Sequence, residues 1–231
     1  MADYLEGEII LVDKPFKWTS FDVVKKIRGV LRGITGERKI KVGHAGTLDP
    51  LATGLLIVCT GRKTKVISEI QNQEKEYEGT IYLGASTPSY DLETKPENFK
   101  EIDHLSQQDI LETARQFIGE IEQKPPLYSA VKIDGKRAYD YARKGQEASI
   151  KSKKVLVSAF DIQHIDLPEI KFNIRCSKGT YIRSIANDFG MKLGVGAYLQ
   201  SLRRTRIGDY MAKDAVLANE IDGYLKSESK I

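Results

Sequence analysis

Apolar positions along the chain change their period several times, and each change marks an element. Ile9 to Val12 form a short apolar strand. Thr19 or Ser20 then stands where a helix N-cap belongs, ahead of Phe21, Val24, Ile27, Val30 and Leu31 on one helix face, with Lys25, Lys26, Arg28 and Arg32 opposite. The run GLLIVCTG (54–61) reads as a buried strand, and KEYEGTIYLG (75–84) alternates so that Tyr77, Gly79, Ile81 and Leu83 share a face. Ser106 and Asp109 have the spacing of a capping box, and Ile110, Ala114, Phe117 and Ile118 give the following helix a stripe that Gly119 ends.

Residues 123–145, QKPPLYSAVKIDGKRAYDYARKG, break the pattern. Two prolines forbid a helix start before Leu127, Asp134 and Gly135 predict a tight turn, and a short, basic, tyrosine-rich helix follows. This segment reads as an excursion from the core. Beyond it, VLVSAFDIQHI (155–165) and IKFNIRCSKG (170–179) predict strands, then come a helix near 181–193, a strand near 202–210 and a helix near 215–225. Several strands with irregularly placed helices and no repeats predict one mixed α/β or α+β domain over 1–231, not a regular parallel βαβ array. At 231 residues and 41% hydrophobic, the chain can build a core without staples.

Charge adds a partner class. The net charge is only +4, from 36 basic and 32 acidic residues, but the basic residues gather at 25–41, 136–154 and 203–206. Three such clusters point towards nucleic acid. Cys59 and Cys176 sit in apolar, strand-like runs with no metal-ligand spacing, as expected of a reduced, cytoplasmic protein. The N-terminus has no basic start or long apolar stretch, so no secretion signal or membrane segment is expected.

Several chemistries find no motif. The glycines of GHAGTLDPLATGLL (43–56) are not followed by Lys-Ser or Lys-Thr at the spacing of a phosphate-binding loop, and no GxGxxG opens a helix. Neither histidine pairs nor a GxSxG serine are present, so no metal, nucleotide or other cofactor is expected. What remains is Asp49, a lone acid in that loop. An Asp before Pro is ordinary turn chemistry, yet small neighbours also let a substrate approach the backbone, where a dry carboxylate can attack carbon or stabilise an oxocarbenium-like centre. The local sequence leaves both readings open.

GHAGTLDPLATGLL resembles the signature of the TruB family of tRNA pseudouridine synthases. The resemblance begins at VDKPFKWTS (12–20) and continues through KEYEGTIYLG, PPLYSAVKIDGKRAYDYARKG (125–145), CSKGTYIRSIANDFG (176–190) and LRRTRIG (202–208), in order along nearly the whole chain. It implies the pseudouridine synthase fold, a central, largely antiparallel mixed sheet flanked by helices. It also implies conversion of uridine 55 in the T arm of tRNA to pseudouridine, through base flipping, glycosidic cleavage and re-joining of C5 to C1′. Asp49 becomes the catalytic carboxylate, Arg183 its paired cation and Tyr77 a catalytic residue that stacks on the uracil and can serve as a base. Tyr181 and Leu202 match pocket residues, and His44 matches a histidine that holds the opened loop of the RNA.

Residues 123–152 match a thumb that closes on the RNA, with Lys132, Lys136, Arg137 and Arg143 placed to meet phosphates. No cofactor is implied, and the expected state is a monomer in contact with tRNA and with no membrane. Two departures stand out. STPSYDLET (86–94) replaces the TDTxD of many family members, and no residues are left for the C-terminal PUA domain that many of them carry. A tRNA binder or folding chaperone without chemistry is the competing reading, and a glycosidase that releases uracil is a third. The presence of Asp49, Tyr77 and Arg183 argues against the pure binder.

Overall fold

The computed structural model describes residues 2–129, 131–133, 135–146 and 149–229. In chain order its elements are β1 (Ile9–Lys14), α1 (Ser20–Thr35), β2 (Val42–His44), β3 (Ala52–Thr60), α2 (Ile67–Asn72), β4 (Lys75–Leu83), α3 (Gln107–Arg115), β5 (Gly119–Gln123), β6 (Lys132–Ile133) and β7 (Lys136–Arg137). They continue with α4 (Ala138–Ala142), β8 (Lys153–Asp166), β9 (Glu169–Cys176), α5 (Ile182–Lys192), β10 (Ala197–Ile207), β11 (Tyr210–Met211), β12 (Val216–Leu217) and α6 (Ile221–Glu228). The α+β class expected from the sequence is the one observed. The chain forms two compact units, one of residues 1–77 with 202–231 and one of residues 78–201.

The first unit is built on β3. This strand pairs antiparallel with β1 and β2 and parallel with residues 202–204 of β10, while β1 pairs parallel with β12. Every residue from Leu55 to Cys59 is inaccessible to solvent. Alternation divides them: Leu56 and Val58 join Val24, Ile27, Leu31 and Leu225 on one face, and Leu55, Ile57 and Cys59 join Ile70 and Ile207 on the other. A strand covered on both faces has no polar positions to alternate with, which is why the sequence shows an unbroken apolar run.

Thr19 caps α1 through a reciprocal capping box with Asp22, and Gly36 ends it in the left-handed conformation. The helix buries Ser20, Val23, Val24, Ile27 and Leu31. Phe21, assigned to this face from the sequence, is instead exposed. At 100° per residue it lies roughly 105° from the centre of the buried stripe, and Val23 takes its place.

In the second unit β8 pairs antiparallel with β5 and β9. Phe117, Phe160, Phe172 and Phe189 form an aromatic core with ring centroids 5.8–6.1 Å apart. The expected capping box of α3 is present at Ser106 and Asp109, but the helix ends at Arg115. Phe117 is buried and Ile118 exposed, because both lie past the helix, and Gly119, at φ 107°, begins β5 instead of capping α3.

The predicted turn before the tyrosine-rich helix appears as the β6–β7 hairpin, with Ile133 opposite Lys136. Asp134 lies outside the described residues. The terminal helix α6 starts later than expected, because a short strand, β12, occupies 216–217.

Gly54 shows how tightly β3 and β10 approach. It pairs with Arg204, adopts φ 94°, and a Cβ there would meet the Arg204 carbonyl oxygen and sit 2.9 Å from its nitrogen. Strained backbone and a main-chain clash combine, so Gly54→Ala is expected to cost about 2 to 4 kcal/mol. Urea unfolding measures this, and an unchanged midpoint would mean the strands can separate at no cost.

Candidate active site

The loop that carries Asp49 joins β2 to β3, and its backbone is held from several sides. Ser20, buried at the start of α1, accepts from Leu48 N–H at 2.8 Å and donates to Leu48 C=O at 3.1 Å. The Pro50 carbonyl accepts from Lys17 N–H at 2.8 Å and from the Lys14 ammonium at 3.3 Å. Arg204 Nη2 donates to Gly46 C=O at 3.1 Å and its Nε to Leu55 C=O at 2.8 Å. Asp49 is therefore half-buried on a segment fixed immediately before it, immediately after it and at both ends. Such anchoring gives the side chain at position 49 one fixed origin.

Lys14, of the VDKP segment, has no solvent exposure. Its ammonium donates to Pro15 C=O at 2.9 Å, Trp18 C=O at 2.6 Å and Pro50 C=O, so all three of its donors are used. Burial pushes its pKa down to about 8, with Arg204 acting in the same sense and the negative charges of Asp49, Asp13 and Asp22 opposing it. His44 in β2 is also lowered, by burial first and then by the charge of Arg204. It is therefore neutral at neutral pH, and its buried Nδ1 has no hydrogen-bond partner among the described residues. Leu202 pairs with Ala52, three residues after Asp49, and His44 pairs with Val58, six residues further along β3. Tyr77 lies buried in β4.

In the second unit, Gln123 at the end of β5 holds the start of α5. Its amide accepts from Tyr181 N–H at 2.7 Å and donates to Tyr181 C=O at 3.0 Å. Arg183, in the first turn that follows, is 4% exposed and donates through Nη1 to Tyr128 C=O at 3.0 Å and Ser89 C=O at 3.3 Å. Its Nε lies 3.6 Å from Oδ2 of the buried Asp91. Asp91 belongs to STPSYDLET, the stretch set apart as a departure, and sequence reasoning did not single it out. The available signal was an acid within a run of small hydroxyl residues: Thr87 and Ser89 both donate to its carbonyl, and its Oδ1 accepts from Glu93 N–H. Beside Tyr181, the Lys153 ammonium stands 4.7 Å from the ring centre.

The 123–152 segment places Lys136, Arg137 and Arg143 on an exposed surface, with the guanidiniums of Arg137 and Arg143 at 5.8 and 5.3 Å from the Tyr139 ring centre. Lys132 lies in β6, and only its backbone is described.

The 203–206 cluster has a different role from the nucleic-acid contact expected of it. Arg203 makes a two-point ion pair with Asp13, Arg204 is buried against carbonyls, and Arg206 pairs with Glu74 and Glu76. These three arginines bind β10 to its surroundings.

A sheet carrying an acid on an anchored loop defines a class, the pseudouridine synthase fold, which solved structures share. A Cbf5–Nop10–Gar1 complex matches with TM-score 0.71 and 28% identity over 99% of this chain and 57% of that one. An H/ACA RNP bound to a substrate RNA containing 2′-deoxyuridine matches with TM-score 0.70 and 25% identity over 96% of this chain. The chain spans little more than half of each, 57% and 54%.

The chain belongs to the TruB family: the model for TruB family pseudouridylate synthase (N terminal domain) matches residues 32–182, and that for the tRNA pseudouridylate synthase B C-terminal domain matches 183–230. The tRNA pseudouridine synthase B of Flavobacterium johnsoniae is 54% identical over 93% of this chain and 94% of its own. That of Chloroherpeton thalassium is 54% identical over 94% and 89%, and that of Phocaeicola vulgatus 48% over 98% and 96%.

Two outcomes follow from the buried cations. Lys14 binds a proton less readily in the folded chain, at about 8, than in the unfolded one, at 10.5, so its contribution to stability rises with pH through that window. The gap between wild type and Lys14→Met in urea unfolding should therefore widen by about 2 kcal/mol from about pH 8 to about pH 10. A constant gap would show that Lys14 titrates normally. Arg183→Ala strands the buried Asp91, and its expected cost is about 3 to 5 kcal/mol by the same measurement, where a loss near zero would mean the ion pair is dispensable.

Proposed function

We propose that the chain converts uridine 55 in the T arm of tRNA to pseudouridine, with Asp49 as the reacting carboxylate. The anchored loop carries this reading: four backbone tethers hold one acid in a family whose members are pseudouridylate synthases. The names of the relatives, tRNA pseudouridine synthase B, support tRNA as the substrate.

In the reaction the N1–C1′ bond breaks and its electron pair leaves with uracil, where the two carbonyls spread the charge. After the base turns, C5 bonds to C1′ and the proton on C5 departs. An ionised carboxylate can begin this by adding to C1′, by adding to the base or by removing a proton from C2′, and each route requires it to be held against the sugar. Arg183 supplies the charge that keeps a dry carboxylate ionised, Tyr77 stacks on the everted uracil, Tyr181 and Leu202 line its pocket, and His44 helps hold the opened conformation of the T loop. Lys132, Lys136, Arg137 and Arg143 meet phosphates from the thumb. The protein acts as a monomer in the cytoplasm.

The test is incubation with T-arm RNA tritiated at uracil C5. Tritium should appear in water, while free uracil would indicate a glycosidase and no release would leave only a binder. Asp49→Asn should lower the rate by about a thousandfold or more with RNA affinity nearly unchanged. Loss of binding together with activity would mean that Asp49 only shapes the loop.

A further inference from the structure

On the first unit, a cavity of about 530 Å³ opens between α1 and the segment leading into β2. Arg28, Arg32, Arg38, Lys39 and Lys41 line it, with Thr64, and no acidic residue does. None of the five cations forms an ion pair among the described residues. Arg28 donates to Val42 C=O at 2.9 Å, which holds its side chain along the wall, and the other four are exposed. Glu37, an acid in the same loop, accepts from the Lys39 backbone N–H at 2.7 Å.

Elsewhere on α1 the charges are balanced. Lys26 pairs with Asp222 at 2.9 Å and Lys25 lies 3.8 Å from Asp22. Five like charges gathered at one concavity repel one another, and the chain leaves that repulsion uncompensated only here on this helix. An anionic occupant removes the repulsion. The shape is an open trough and not a closed pocket, and its wall includes Val42 and Gly43, which lead along β2 into His44 and then the Asp49 loop. A ligand that lies in the trough and extends towards the Asp49 loop must be elongated as well as anionic.

We infer that this trough is a binding site for the phosphodiester backbone of RNA, separate from the 123–152 segment and adjoining the loop that presents Asp49. The inference rests on the proposed reaction for the identity of the RNA. Arginine and lysine at this density read phosphate and not base, so the site contributes affinity and register without sequence selectivity.

The experiment measures T-arm RNA binding by fluorescence anisotropy over a series of NaCl concentrations. Arg32→Gln/Arg38→Gln should lower the slope of log K against log[salt] by about 1.4 to 1.8 and weaken binding by about tenfold or more at moderate salt. Lys25→Gln/Lys26→Gln removes the same formal charge from the same helix and should leave the slope nearly unchanged. Arg32→Lys/Arg38→Lys should keep the wild-type slope, which separates lost charge from a disturbed fold.

Equal slope changes in both glutamine doubles, or none in the first, would overturn the site, as would a wild-type chain that does not bind the RNA. Displacement of the RNA by micromolar inorganic phosphate would overturn it too, by marking a small-anion pocket. Tritium release run alongside keeps the two readings apart. Release with an unaltered slope refutes the trough alone, and an altered slope without release refutes the reaction alone.

Discussion

A guanidinium sealed from water organises the unit that carries Asp49. Arg204 is always charged, so its burial is tolerable only if acceptors surround it, and the chain supplies main-chain carbonyls of Leu55 and Gly46. That demand propagates. β10 must lie parallel to β3 with Arg204 opposite Gly54, position 54 must lack a side chain, and the Gly46 carbonyl must turn inward. The eight residues between Gly46 and Leu55 are then a loop with both ends set by one side chain. Asp49 inherits its position from a cation over 150 residues later in the chain.

The three basic clusters have the same composition and three different fates, decided by what each finds nearby. At 203–206 every arginine meets a carboxylate or a carbonyl, and the cluster becomes internal scaffolding. At 136–154 Arg137, Arg143 and Lys153 lie against aromatic rings and Lys154 against Glu120. At 25–41 the arginines and lysines facing the cavity meet no acid at all. A pattern of charges in sequence gives the number of cations; only the acceptors brought near them in the fold separate structure from surface.

Legibility followed the same division. β3 was readable because a strand covered on both faces needs an unbroken apolar run, and α1 because its capping box and stripe agree. The ends of elements were harder. β10 begins at Ala197, earlier than its charged stretch suggests, because its first residues face an already apolar unit, and β5, GEIEQ, has too little apolar content to announce a strand.

Only the resemblance singled out Asp49, His44 and Leu202, which the fold places on the β2–β3 loop, on β2 and on β10. Lys14 and Arg204 were missed as site-builders, and Asp91 was missed altogether. A buried charge looks like any other charge in sequence, since what permits its burial is a set of backbone carbonyls and distant partners that carry no residue-type signature.

The way Lys14 is satisfied bears on the chemistry. Its three N–H donors go to the carbonyls of Pro15, Trp18 and Pro50, which leaves it no further proton to offer a carboxylate. Asp49 therefore acts on it through charge, which favours the ammonium against the cost of its burial. One side chain thus ties the VDKP segment, the residues ahead of α1 and the residue after Asp49 to a single buried charge.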